Sequence, residues 1–308
     1  MSFSSDLKCE LTEEEIQAPE ARRAMAYGML LFGKSFSNQQ IALSTENEQV
    51  AKLYAQCIAD ISGLPTQMSL SPQKRKDGIF TVTLQNKKDC EELRGLFYHR
   101  SDEISLRIKK ENFSREGDIA HFLRGAYLAC GNLTDPLKSY HLEFVTQHLK
   151  LAEDLYELIS EVLAPPKMTT RRGSRVIYYK ESEHIEDMLT YMGAVRSSLE
   201  LMNVKIYKDL RNKANRVTNC ETANIEKTVN AAAKQVQDIE LIVSHRGLEA
   251  LPDNLRELAQ LRLDHPEMSL ADLGRELSEP LSRSGVNHRF QRIAAEADMI
   301  RDQISKAQ

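Results

Sequence analysis

The sequence lacks the features that mark several common classes of protein. It has no run of about 18 apolar residues, so it predicts no membrane-spanning helix. Its first residues lack a charged segment followed by an apolar stretch, and we therefore expect no signal peptide. There is no glycine-rich phosphate loop and no Gly-x-Ser-x-Gly motif, and no other catalytic constellation stands out. We therefore predict that the chain is not an enzyme.

Cysteine is scarce and scattered. The five cysteines are Cys9, Cys57, Cys90, Cys130 and Cys220, and no two of them are closely spaced. This spacing argues against disulfides and against a zinc site. We expect most of them to be small buried side chains in a reducing cytoplasm, with no metal and no cofactor. The formal net charge of −4 argues mildly against non-specific nucleic-acid binding, although the local distribution of charge decides.

The segment from Phe122 to Gly131 reads Phe-Leu-Arg-Gly-Ala-Tyr-Leu-Ala-Cys-Gly and predicts a helix with small residues on one face. Glycine within a helix costs about 1 kcal/mol relative to alanine. Gly125 therefore suggests that a second helix approaches closely. The alternative is an ordinary buried helix that ends at a Gly131 cap.

A second helix of this kind lies about 98 residues earlier and favours the first alternative. It runs from Met25 to Gly33 and carries Gly28. Each helix is followed by a strand, a helix, a hairpin of two strands with a basic turn, and a short helix. The strands are predicted at about 40–46, 65–71 and 79–84 and again at about 141–147, 166–171 and 175–179; the long helices are predicted at about 48–62 and 149–163. The order helix–strand–helix–strand–strand–helix therefore occurs twice.

The duplicated part, about residues 20–205, resembles a single-chain LAGLIDADG homing endonuclease. The resemblance implies an α+β domain of two αββαββα repeats, whose first helices pack together at a pseudo-two-fold axis. In that family an acidic residue just before the final glycine of each helix binds the catalytic metals. The matching positions here are Cys130 and, depending on the alignment, Phe32 or Gly33. None is a carboxylate, so we expect the packing to persist without nuclease chemistry.

Nearly the whole chain resembles the WhiA family of regulators from Gram-positive bacteria. The segments that carry this resemblance are 122–136 with 140–144, Asn215–Asn224 and Ser282–Arg289. The resemblance implies a DNA-binding transcriptional regulator that is cytoplasmic and nucleoid-associated. It also implies links to cell division, chromosome segregation and, in sporulating relatives, sporulation. The expected partners are double-stranded promoter DNA and a second transcription factor or RNA polymerase, with no membrane.

The expected domain organisation follows from the repeats and from composition. A leader helix (1–19) precedes the LAGLIDADG-like domain (20–211), whose repeats cover about 20–97 and 117–193. The polar segment 212–224 is predicted to be a linker after a helix that ends near residue 211. The alternative for this segment is a DNA-contacting strap that uses Lys213 and Arg216. An all-α domain (225–308) follows.

The all-α domain contains a predicted helix-turn-helix at about 268–301, in an order that resembles the promoter-reading region 4 of sigma factors. Ser269 is a suitable N-cap for a helix at 270–277, and a longer basic helix begins at Ser282 or Ser284. Its core side is predicted to hold Val286, Phe290 and Ile293. The predicted DNA contacts are base contacts from Asn287, His288, Arg289 and Arg292, and phosphate contacts from Ser282, Arg283 and Ser284. The alternative is a three-helix interaction module with a solvated basic face.

The basic hairpin turns provide a second set of candidate DNA contacts. By analogy with the endonucleases, these are Lys74, Arg75, Lys76, Arg171, Arg172 and Arg175. Glu46 and Glu143 are acidic positions in the predicted strands at 40–46 and 141–147, so the alternative use of this domain is to bind a protein partner. The sequence leaves three candidate functions: a two-domain transcription factor, an active endonuclease, and a protein-binding adaptor for division or segregation whose DNA contact is incidental.

Overall fold

The computed structural model describes residues 2–13, 16–73, 76–115 and 117–307. The chain forms two compact units, Met1–Asp209 and Leu210–Gln308. Each unit is described by itself. The finer division at residues 19, 211 and 224 stays a prediction.

The N-terminal unit contains the predicted repeat twice, after a first helix α1 (Phe3–Glu13). The first repeat consists of α2 (Pro19–Leu31), β1 (Ser35–Phe36), β2 (Ile41–Thr45), α3 (Glu48–Ser62), β3 (Gln67–Gln73), β4 (Lys76–Leu84) and α4 (Lys87–Leu96). The second consists of α5 (Asp118–Cys130), β5 (Gly131–Leu133), β6 (Leu142–Thr146), α6 (Leu149–Val162), β7 (Lys167–Arg171), β8 (Ser174–Tyr179) and α7 (Ser182–Tyr191). The αββαββα order is confirmed in both. The short strands β1 and β5 were not predicted from the sequence pattern.

Each repeat builds a four-stranded antiparallel sheet. The strand orders are β1-β2-β4-β3 and β5-β6-β8-β7. Leu43 lies opposite Val82 in the first sheet, and Phe144 lies opposite Ile177 in the second; all four are buried in the core. Because side chains alternate along a strand, these pairs fix which face of each sheet is buried.

The helices α2 and α5 pack backbone to backbone through their glycines. A Cβ atom on Gly28 would lie 2.1 Å from the carbonyl oxygen of Phe122, and one on Gly125 would lie 1.9 Å from that of Met25. The prediction of a closely approaching second helix is therefore confirmed. Gly131 has an extended backbone (φ −81°, ψ 150°) and begins β5, so it is not a left-handed helix cap.

The C-terminal unit is entirely helical. It contains α8 (Val195–Arg246) from Leu210 onward, then α9 (Asp253–Asp264), α10 (Leu270–Glu276) and α11 (Arg283–Ala307). Its core consists of apolar side chains from all four helices, including Ile239, Ile242, Leu255, Leu258, Leu273, Leu277, Val286, Phe290 and Ile293. The predicted core side of the last helix is confirmed.

The predicted helix end near residue 211 is wrong, because α8 continues for 52 residues through the segment 212–224. This segment contains no proline and no glycine. Its asparagines and threonines lower helix propensity by only tenths of a kcal/mol each, and elongation of an existing helix is favourable. Polarity was therefore a poor indicator of an irregular connection here.

Candidate nucleic-acid interface

The helix-turn-helix is formed by α10, the turn after it and the start of α11. Ser269 caps α10, since its Oγ accepts a hydrogen bond from the amide of Asp272 at 3.3 Å. The turn packs tightly on α10: the amide of Leu281 donates to the carbonyl of Gly274 at 2.8 Å. A Cβ atom on Gly274 would lie 2.3 Å from the carbonyl oxygen of Leu281. Glycine at this position therefore sets how closely the turn can approach α10.

A buried arginine holds the segment that leads into the helix-turn-helix. Arg262 is 1% exposed, and its guanidinium donates to the carbonyls of His265, Pro266 and Met268 and to Oε1 of Gln235. It also lies over the ring of Phe290, 5.5 Å from the ring centre. Burial lowers its pKa, although an arginine keeps its charge in proteins. Sequence reasoning missed this residue; a charged side chain one turn after Leu258 on an apolar helix face was the available signal.

The predicted contacts on α11 lie mostly on its solvent side. Ser282, Arg283, Ser284, Asn287, His288 and Arg292 are exposed, whereas Val286 and Phe290 are buried. Ser282 also caps the helix, because its Oγ accepts from the amide of Gly285 at 3.3 Å. Among the residues that the structure describes, no hydrogen bond or ion pair engages the side chains of Arg283, Asn287 or Arg292. These donors are therefore available for a ligand.

Arg289 differs from its neighbours on α11. It is half-buried, and its Nη1 donates to the carbonyl of Asn254 at the start of α9, at 3.0 Å. Its guanidinium therefore lies at the flank of the helix. The same N–H group can contact a base only after this hydrogen bond to Asn254 is released. Contact of the α11 residues with DNA stays a prediction.

Among the predicted hairpin contacts that the structure describes, Arg171 and Arg175 do not lie on one face. Lys74 and Arg75 lie outside the described residues, and of Lys76 only its place at the start of β4 is described. Arg172 (φ 50°) and Gly173 (φ 83°) form the tight turn between β7 and β8. In the register of this hairpin Arg171 lies opposite Ser174, and Thr170 lies opposite Arg175. Arg171 and Arg175 therefore project from opposite faces.

The charge of Arg171 is already paired within the sheet. Its Nη2 lies 3.0 Å from Oε1 of Glu143, whose Oε2 lies 3.1 Å from Nε2 of His141. Burial raises the pKa of Glu143, but the hydrogen bonds from Arg171 and His141 outweigh it and leave this pKa below its ordinary value. Arg175 in turn donates to Oγ1 of Thr170 at 2.5 Å. One donor nitrogen of each guanidinium is therefore already engaged within the sheet.

The ends of α2 and α5 hold no carboxylate pair. Cys130 stands at the end of α5, and burial raises the pKa of its thiol to about 12. The nearby Lys8 of α1 donates from Nζ to the carbonyl of Leu128 at 3.3 Å, so an amine lies close to this helix end. Within the described ranges, no group of three or more His, Cys, Asp and Glu residues is arranged to hold a metal ion. No helix of the described chain is long and apolar enough to cross a membrane.

Comparison with known proteins identifies relatives of this chain. Residues 119–211 match the WhiA LAGLIDADG-like domain, and residues 214–297 match the WhiA C-terminal HTH domain. Proteins named probable cell division protein WhiA are 38% identical in Clostridium beijerinckii and 39% identical in Clostridium novyi; in both cases the match covers 98% of this chain and 99% of the relative. The crystal structure of full-length DUF199/WhiA from Thermatoga maritima shares the fold, with 22% identity, a TM-score of 0.56, and coverage of 97% of this chain and 99% of that chain. The chain therefore belongs to the WhiA family.

Proposed function

We propose that this protein is a sequence-specific DNA-binding transcriptional regulator of the WhiA type. It acts in cell division and chromosome segregation, as its sporulating relatives act in sporulation, and it has lost nuclease activity. The observation that carries this proposal is the solvent side of α11. Arg283, Asn287 and Arg292 project there without partners in the described structure, beside His288, while the other side of the helix is buried in the core.

The chemistry of this surface suits the major groove of duplex DNA. Arginine donates two parallel hydrogen bonds to guanine N7 and O6, and asparagine pairs in the same manner with adenine. The second helix of a helix-turn-helix presents such residues to base edges while the first helix crosses the backbone. Arg292 and Asn287 are therefore the proposed base readers, and Arg283 with the hydroxyls of Ser282 and Ser284 the proposed phosphate contacts.

The proposed partners follow from this role. The ligand is promoter DNA, the protein is nucleoid-associated in the cytoplasm, and a second transcription factor or RNA polymerase is its protein partner. The N-terminal unit serves as a scaffold rather than as a nuclease, since Cys130 and Phe32 stand where metal-binding acids are needed. Among its predicted DNA contacts, Arg171 is held by Glu143.

Chromatin immunoprecipitation of the full-length protein, followed by fluorescence anisotropy on an enriched promoter fragment, tests the proposal. We expect a defined set of promoters, and a loss of affinity when Asn287 and Arg292 are both replaced by alanine. Arg246→Ala is the matched control, because Arg246 is paired with Glu296 at 3.7 Å and lies at the end of α8. Equal binding to promoter and random DNA, unchanged by the double substitution, would contradict the proposal.

The loss of nuclease activity has its own test. We expect supercoiled and linear plasmids to stay intact when incubated with the full-length protein and Mg²⁺ or Mn²⁺. Cleavage that depends on the protein and stops on Cys130→Ala would show that the scaffold has kept its chemistry.

A second candidate function is a protein-binding adaptor whose DNA contact is incidental. It is favoured by the paired state of Arg171 and by the first sheet, whose face away from the core carries uncharged residues such as Ser44 and Thr81. Crosslinking followed by nuclease treatment separates the two candidates. A partner that remains bound to the Asn287/Arg292 double variant, together with normal division in cells that carry this variant, would favour the adaptor.

A further inference from the structure

A cleft of about 430 Å³ opens in the C-terminal unit beside the predicted DNA-reading residues. The cleft is lined by the stretch of α8 from Lys227 to Gln235 and by Arg283 and Asn287 at the start of α11. The floor contains Arg262 and the residues that lead into α10. None of the described residues that line the cleft is a carboxylate.

The charged groups at the mouth of this cleft have no partner in the described structure. No hydrogen bond or ion pair is formed there by Lys227 of α8 or by Arg283 of α11, and both side chains are exposed. Elsewhere in the same unit, cations such as Arg256, Arg275 and Arg301 are held by carboxylates at 3.1 Å or less. Two unpaired cations from different helices therefore line one cleft whose described lining contains no carboxylate.

The floor of the cleft is fixed and supplies further donors. Oε1 of Gln235 accepts from Nε of Arg262 at 3.1 Å, and this bond directs the amide nitrogen of Gln235 away from Arg262 as a donor. Because Arg262 is held in turn by the backbone carbonyls before α10, the position of Gln235 does not depend on a ligand. The small side chains of Ala231 and Ala271 line the cleft and leave room for a bulky group.

A concave surface with ammonium, guanidinium and amide donors and no carboxylate favours an oxyanion. The volume exceeds what a lone phosphate group fills, so the group that fits best is a phosphate with its attached sugar. We propose that the cleft binds one phosphodiester of the DNA backbone, and that Lys227, which lies on α8 outside the helix-turn-helix, is a DNA contact. This inference rests on the proposed function, since it places the backbone next to the bases read by Asn287.

Fluorescence anisotropy with the full-length protein, at salt concentrations from low to physiological, tests the inference. A lysine that binds a phosphate contributes equally on every sequence, and each such contact contributes about −0.9 to the slope of log K against log salt. We expect Lys227→Ala to weaken binding severalfold on promoter and random DNA alike and to reduce the slope by about 1. Lys234→Ala is the matched control, because Lys234 is an exposed lysine of the same helix that does not line the cleft.

A second variant keeps every cation and changes only the cleft. Ala231→Glu places a carboxylate on the exposed α8 side of the cleft and is expected to weaken binding at least as much as Lys227→Ala, with no change in helical content. If Arg292→Ala weakens promoter binding while both cleft variants match the wild type in affinity and salt slope, the cleft inference is wrong and the proposed function stands. If the wild type itself shows no preference for promoter DNA, the proposed function fails first.

A free phosphate compound is the competing ligand. Titration of the wild type with inorganic phosphate and with a nucleoside monophosphate at constant ionic strength distinguishes it from DNA. We expect neither to bind in the millimolar range, and both to displace DNA no better than chloride does. Saturable binding of either one that depends on Lys227, combined with DNA binding that does not, would overturn the assignment.

Discussion

The carboxylate of Glu10 caps the amino terminus of α8 at Ser197. Its Oε2 accepts hydrogen bonds from the amide of Ser197 at 2.9 Å and from Oγ of Ser197 at 2.5 Å, and its Oε1 accepts from the amide of Arg196 at 2.7 Å. The first amides of a helix have no partner within the helix, and a negative charge there also interacts favourably with the helix dipole. The first helix of the chain thereby fixes the start of its longest helix.

Glu10→Ala is expected to lower the free energy of unfolding of the N-terminal unit by about 2–4 kcal/mol, because it leaves buried amides without an acceptor. The control is Glu13→Ala. Glu13 also pairs with Arg196 but is 64% exposed, and its loss should change stability by less than about 1 kcal/mol. Urea unfolding measures both. Equal effects of the two substitutions would contradict the capping role.

The glycines between α2 and α5 give a sharper prediction for packing. Gly28→Ala and Gly125→Ala each place a methyl group about 2 Å from a backbone oxygen, so the helices must separate. We expect each substitution to lower the free energy of unfolding by about 1–3 kcal/mol. Gly95→Ala is the matched control: Gly95 lies in α4, a Cβ atom there has nothing within 4 Å, and helix propensity predicts a gain of about 0.5–1 kcal/mol. Thermal unfolding followed by circular dichroism should show a lower melting temperature for Gly28→Ala and Gly125→Ala and a higher one for Gly95→Ala.

The buried Arg262 is expected to contribute strongly to the stability of the C-terminal unit. Arg262→Met removes the donor from three backbone carbonyls and should destabilise the C-terminal unit by roughly 3 kcal/mol. Arg275→Ala, which removes an exposed arginine paired with Asp272, serves as the control and should have little effect. Hydrogen exchange of the α10 amides reports the change. Unaltered exchange in Arg262→Met would show that the segment before α10 keeps its conformation without the arginine.

Substitution of Arg289 or Arg292 should weaken DNA binding in both cases but affect thermal stability differently. Replacement of either by alanine is expected to weaken binding to the cognate promoter by about 1–3 kcal/mol. Arg289→Ala also removes the bond to Asn254, so it alone should lower the thermal stability of the unit. Anisotropy and thermal unfolding of both variants separate the two effects. Promoter affinity that is unchanged in both variants would remove these arginines from the interface.

Acid titration tests the Glu143 site. Because its pKa is depressed in the folded chain, Glu143 contributes stability that is complete above the unfolded value of about 4.3 and is lost as the pH falls through the folded value. Glu143→Gln should therefore be less stable than the wild type near neutral pH, and the two should converge as the pH falls. Glu48→Gln, at an exposed ion pair with Lys52, is the matched control and should change stability near neutral pH by less than about 1 kcal/mol. A constant difference between Glu143→Gln and the wild type at all pH values would contradict the pairing.

The local pattern predicted much of the molecule well. The bounds of α3, the Ser269 cap and the buried side of α11 all follow from residues within a few positions of each other, where helix periodicity and capping act directly. The repeat could be found because the helices that carry Gly28 and Gly125 are each followed by the same series of elements. The sequence also excluded a carboxylate at the end of either central helix.

Other features depend on residues that are far apart in the chain, and only the tertiary structure decided them. Ser197 is capped by Glu10, 187 positions away, and no neighbouring residue signals this. The two-residue turn at Arg172 sets the register that sends Arg171 and Arg175 to opposite faces, whereas composition only marked both as basic. Lys227 lies near Arg283 because α8 continues through a polar segment and packs on a core formed later in the chain. Sequence thus determined what each segment could become, and packing between distant segments decided which side chains meet.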